Sequence, residues 1–217
     1  FNIAPADDEI IKVEQPLLFE SYDKILVSIM AKKIAFSSTH VVIDLPYGKT
    51  MKVRTLEDAE KLKKKFEYLA RRFKIKIRVF IHRTLEPAGR GIGPTLETRE
   101  ALRVLQQKDN KALDLETRAL DLAGGLLDLC LEDSPGLAPK IKKEFSNGRE
   151  WARTILEEGV AFLKMQEIIK AQNGNPNIDS EDLKPAKFLF EVKASHRGKI
   201  SEVNNQNLTI IARLLGA

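Results

Sequence analysis

Two short β-branched runs flanking one long amphipathic stretch constrain this chain most. His40 to Leu45 reads as a buried strand that stops at the turn signal Pro46-Tyr47-Gly48. Ile75 to Ile81 alternates Ile75, Ile77, Val79 and Ile81 against Lys76 and Arg78, the period of a strand. Between them Thr55 is placed as a helix N-cap with Asp58 three residues on. Leu56, Ala59, Leu62, Phe66, Leu69 and Ala70 then recur at helical spacing. Strand, long helix, strand is the crossover unit of a parallel sheet, right-handed by rule. The expected class is α/β, with helices on a parallel sheet.

The rest of the chain follows from local signals. Ser21 and Asp23 suit the start of a helix over 21–36, with Ile25, Leu26, Ile29 and Met30 on its core face. Residues 1–20 read as a loop or short strand. Helices are expected at 95–107, 114–131, 137–145, 149–158, 160–171 and 207–215, and strands at 188–192 and 198–203. Asn173-Gly174-Asn175-Pro176 marks a break. Phe1 is not Met, and the chain ends at Gly216-Ala217, so it is expected to be a segment of a longer protein.

Composition narrows the function classes. Hydrophobic residues make up 43% and charged residues 31% of the 217, which suits a globular, cytoplasmic protein. The longest apolar runs are too short to span a bilayer, so no membrane partner is expected. The net charge of +5 is spread among interspersed acids and bases. Aromatic and basic residues do not interleave as a nucleic-acid surface, so none is expected there either. Many charges with one Cys and one Trp resemble a heat-adapted composition. Cys130, alone between Leu129 and Leu131, reads as a buried inert thiol. His40, His82 and His196 show no metal-ligand spacing.

Three places carry candidate chemistry, each with a plainer alternative. Ser28 and Lys32 lie one turn apart, about 5–6 Å at Cβ, and suit a polar ring edge or a ribose oxygen as well as bare solvent. Glu20 precedes that helix beside Leu18 and Phe19. Apolar surroundings would raise its pKa towards general-acid use, whereas the helix N-terminus would lower it. Gly48, Lys49, Thr50 and Lys52 follow a strand directly and suit a phosphate or a basic surface turn, without the upstream Gly of a Walker loop. Gly89, Gly91 and Gly93 are spaced too closely, with Pro94 after them, for a dinucleotide fingerprint. Both loops leave strands at their carboxyl ends, where open α/β sheets hold ligands.

A family resemblance joins these places. Ser28-Ile29-Met30-Ala31-Lys32-Lys33 resembles the Ser-Ile-Leu-Ser-Lys-Lys helix of the thymidine and pyrimidine-nucleoside phosphorylases. Val42-Ile43-Asp44-Leu45-Pro46-Tyr47-Gly48, the segment from Glu86 to Glu100, Asn147-Gly148-Arg149-Glu150 and Ala171 to Pro176 have counterparts in the same order. Two departures, Val13 in place of an Arg and Lys52 in place of an apolar ring contact, make the chain look most like the archaeal AMP phosphorylases within that family.

The resemblance implies phosphorolysis of AMP with inorganic phosphate, giving adenine and ribose 1,5-bisphosphate. It implies that Ser28 and Lys52 contact AMP, aided by Lys49, with Lys32 near the base or ribose. Glu20 stands where those enzymes have an Asp proton donor, one methylene longer. No cofactor is implied as required. Carbonyls of Ala88 and Gly91 with the Glu100 side chain are implied as a potassium site. The resemblance further implies part of a helical domain at 1–36, an α/β domain at 37–172, the start of an α+β region at 173–217, and a homodimer or larger homo-oligomer. The phosphate loop of the family is expected upstream of Phe1.

Overall fold

A computed structural model of the chain describes residues 4–14 and 21–216. The chain divides into two compact units, Phe1–Thr84 with Leu122–Gly148, and Leu85–Asp121 with Arg149–Ala217.

The first unit is built on the expected crossover. Strands β1 (His40–Tyr47) and β2 (Lys76–Arg83) pair in parallel, in a register that sets His40 against Lys76 and Tyr47 against Arg83. The sheet has two strands among the described residues. Val41, Ile43 and Leu45 point to one face and are buried there. Helix α3 (Leu56–Arg72) covers that face with Ala59, Leu62, Phe66 and Ala70. Thr55 caps it, accepting from the Asp58 amide at 3.1 Å. Leu56, the first helical residue, is exposed instead of joining the stripe.

Helix α2 (Tyr22–Ala35) adds Leu26 and Met30 to the same core. Ser21 accepts from the Lys24 amide as its N-cap, as the sequence implies. The Tyr22 hydroxyl donates to Asp58 at 3.2 Å, and Lys65 pairs with Asp23, so polar contacts also tie α2 to α3.

Strand β1 runs two residues past the expected stop. Thr84 N donates to Tyr47 O at 2.8 Å, and Tyr47 bridges Val53, so the backbone stays extended through Pro46. Pro has no N–H to give to a ladder, which an edge position tolerates.

The expected loop or strand near the start is corrected in part. Pro5–Glu14 forms a helix, α1, that begins on Pro, carries Asp7 and Asp8 in its first turn and ends with Lys12 in its last. That is the charge order a helix dipole favours. Ile10, Ile11 and Val13 remain exposed, and among the described side chains of α1 the buried one is Asp7.

The second unit contains α4 (Pro94–Leu105), α7 (Gly148–Glu157, its first residue aside), α8 (Val160–Ala171), α9 (Asn205–Leu214) and residues 113–121 of α5 (Leu113–Leu131). The remainder of α5 and the short α6 (Ala138–Glu144) belong to the first unit. Gly93, at φ 96°, precedes Pro94 at the head of α4, a positive-φ extended conformation that a side chain would strain. Gln106 at the end of α4 donates to Ile178 O at 3.1 Å and accepts from Ser180 N at 3.0 Å. Arg103 grips Glu181 through two nitrogens at 2.7 and 3.0 Å. These contacts fix a short 3-10 turn, Ser180–Asp182, against α4.

Two further expectations are corrected. No strand forms at 188–192 or 198–203. Phe188, Leu189, Phe190 and Val192 are exposed, with no ladder to supply the backbone bonds a strand needs. Cys130 is half-buried, while Leu129 and Leu131 are buried on either side of it. No described helix is long and apolar enough to cross a membrane.

Candidate functional site

Ser28 and Lys32 do not form a bare helix face. They converge on Asp7, which α1 brings against α2 and which is 6% exposed. The Ser28 hydroxyl donates to Asp7 Oδ2 at 2.7 Å. The Lys32 ammonium donates to the same oxygen and, at 3.2 Å, to Ser28 Oγ. Lys24 Nζ stands 3.7 Å from the other carboxylate oxygen, Oδ1. The hydrogen bond from Lys32 holds the Asp7 carboxyl below its ordinary range, against the opposing effect of burial, and the Ser28 bond acts the same way. The carboxylate is therefore charged near neutrality, balanced by two ammonium groups.

The sequence pointed to Ser28 and Lys32 and missed Asp7. The available signal was Pro5 followed by two acids and closed by Lys12, a helix-start pattern with Ala6, Ile10 and Val13 at helical spacing.

The second place is the loop after β1. Gly48 N donates to Val53 O and Met51 N to Gly48 O, both at 3.0 Å, which closes residues 48–53 into a compact turn. Lys49 and Lys52 are exposed on it. A Cβ on Gly48 would stand 2.4 Å from Thr84 O, so glycine alone allows the turn to lie against the end of β2. Lys49 and Lys52 thus occupy the carboxyl end of β1, where the sequence places them.

Glu20 lies outside the described residues. Ala88, Gly91 and Glu100 lie in the second unit. Glu100 is buried on α4 and accepts from Arg103 Nη1 at 2.8 Å through Oε1. Its Oε2 faces the glycine loop, 3.8 Å from where a Cβ of Gly89 would stand. One carboxylate oxygen is thus committed to an arginine and the other borders the loop. No group of three or more His, Cys, Asp or Glu that could hold a metal occurs among the described residues.

Comparison with known proteins adds whole-chain similarity. The chain is 39% identical over 216 residues to an AMP phosphorylase of Methanosarcina acetivorans, and equally to one of Methanosarcina mazei. It is 38% identical over 216 residues to a protein of Methylococcus capsulatus assigned as a thymidine phosphorylase. Each alignment takes in 100% of this chain and 39–40% of the relative, so the chain spans about two fifths of the length of these curated relatives. No family model matches it.

Proposed function

From the homology of the whole chain to part of the nucleotide and nucleoside phosphorylases, we propose that the protein to which it belongs cleaves AMP with inorganic phosphate. The observation that carries this reading is the polar cluster of Asp7, Ser28 and Lys32, built on the very helix whose Ser-x-x-x-Lys spacing resembles the family. In the reaction a phosphate oxygen bonds to the anomeric carbon of AMP as the bond from that carbon to adenine breaks. The bonding pair leaves with the base. Glu20 supplies the proton that the base takes up, a role that rests on the resemblance and contributes on the order of 10²–10⁴ in rate. The products are adenine and ribose 1,5-bisphosphate.

In this reading Ser28 and Lys32 meet the base or ribose, and Lys52, aided by Lys49, meets the nucleotide phosphate by charge-assisted hydrogen bonds. The chemistry itself requires no cofactor; a potassium ion on the Ala88 and Gly91 carbonyls and Glu100 would supply local positive charge. The active form is a homodimer or a larger homo-oligomer.

The full-length protein incubated with AMP and phosphate is expected to release adenine. Lys52→Ala is expected to raise the KM for AMP by roughly tenfold, the loss of one bond to a charged group. A second reading, a thymidine or pyrimidine-nucleoside phosphorylase, draws on the 38% identity to the Methylococcus protein. Release of thymine from thymidine with no adenine from AMP would transfer the assignment to it. Release of neither base would sink both.

A further inference from the structure

The hydrogen bonds around Asp7 fix what Ser28 can offer a ligand. A serine hydroxyl has one hydrogen and two lone pairs. Asp7, held as a carboxylate, can only accept, so the Ser28 hydrogen is spent on it at 2.7 Å. Lys32, approaching Ser28 Oγ at 3.2 Å, takes up one lone pair. A single lone pair remains. Lys32 has spent one N–H on Asp7 and one on Ser28, and keeps a third. Side by side, Ser28 therefore presents an acceptor and Lys32 a donor.

We propose that Asp7 is a specificity-determining positioning residue, which turns Ser28 into an obligate acceptor for the exocyclic amine of the nucleobase while Lys32 donates to the neighbouring ring nitrogen. The proposal rests on the phosphorolysis reading above and gives this cluster the base, leaving the phosphate to be held elsewhere. A phosphate offers acceptors only. Here its oxygens would meet the Ser28 lone pair with the Asp7 charge 2.7 Å behind it. Adenine offers an amine hydrogen beside a ring nitrogen, the complement of what the two side chains retain. A base that presents no N–H to Ser28 leaves that lone pair unpaired, which discriminates more strongly than the loss of a methylene would.

The test compares two ligands on the full-length protein by calorimetry: AMP and purine riboside 5′-monophosphate, which lacks only the amine. The unaltered protein is expected to bind AMP roughly five- to tenfold more tightly, the worth of one hydrogen bond. Asp7→Leu keeps the branch at Cγ and removes the acceptor. It frees the Ser28 hydroxyl to rotate, and the ratio is expected to fall towards one. Asp7→Asn keeps an oxygen for Ser28 and is expected to restore most of the ratio, a rescue that a purely structural role would not give. If Asp7→Leu does not fold, Ser28→Ala decides, because it removes the same lone pair and should abolish the preference. A folded Asp7→Leu or Ser28→Ala protein that keeps the full preference overturns the proposal. So does an unaltered protein that binds both ligands equally. Amine-dependent binding without turnover would instead overturn the phosphorolysis reading and leave the Asp7 assignment standing.

Discussion

Glu181 shows how far one side chain can be shifted by its partners. The hydrogen bonds from Arg103 are the main cause, and they draw its carboxyl down from 4.5 to about 2. A carboxyl lowered on folding stabilises the fold above its ordinary value and loses that contribution as pH falls through the folded value. Stability owed to this contact is thus expected to be complete above about pH 4.5 and to drain away towards pH 2. Thermal unfolding followed across the acid range should show Glu181→Gln with a shallower dependence in that window than the parent protein. An identical profile would mean the contact survives unfolding or never forms. Gly48 makes a second residue-scale case. Gly48→Ala would set a Cβ against the Thr84 carbonyl and is expected to cost about 1–3 kcal/mol by overpacking, read from the denaturant midpoint. Ser28, Lys32 and Gly48 were legible in the sequence because spacing and strand position are local signals. Asp7 was not, because its meaning lies in contacts to Ser28 and Lys32, which stand 21 and 25 residues further along.

At the scale of elements, α3 supplies more residues to the core cluster than any other element. Its stripe of Ala59, Leu62, Phe66 and Ala70 was readable from period alone, and the same residues fill the core. Phe66 is fully buried. Phe66→Ala is expected to destabilise the first unit by about 3–5 kcal/mol, the range for emptying an aromatic core position, measured by denaturant unfolding. A loss below about 1 kcal/mol would show that the site collapses freely. Helix α1 and the stretch from 188 to 203 were misread for opposite reasons. α1 leaves Ala6, Ile10 and Val13 exposed despite their helical spacing and is docked by a carboxylate, so a search for a core-facing stripe passed it over. The later stretch has β-branched and aromatic residues in alternation, but strand propensity is realised only against a neighbouring strand.

At the scale of the whole chain, Phe188, Leu189, Phe190 and Val192 form a run of exposed large hydrophobic side chains. Replacing Phe188 and Phe190 together by Ser is expected to change unfolding stability by less than about 0.5 kcal/mol, as surface substitutions do. The same change should lower self-association of the chain seen by light scattering, because contiguous exposed apolar surface favours sticking. A marked loss of stability would instead reveal that this run packs on something when the protein is whole. The parallel pairing of β1 with β2 has a consequence of another kind. Its ladder joins His40 to Lys76 and Tyr47 to Arg83, with all of α3 between them. Such pairing cannot zip up from a local hairpin, and the entropy of closing the intervening chain comes due before any ladder bond is made. Residues 48–53 close on their own local bonds, but they are anchored beside the end of β2 only through Thr84, which bonds Tyr47 and lies against Gly48, so that anchoring waits for the closure. During synthesis the turn bearing Lys49 and Lys52 therefore lacks its anchor at Thr84 until the ribosome has released residue 84.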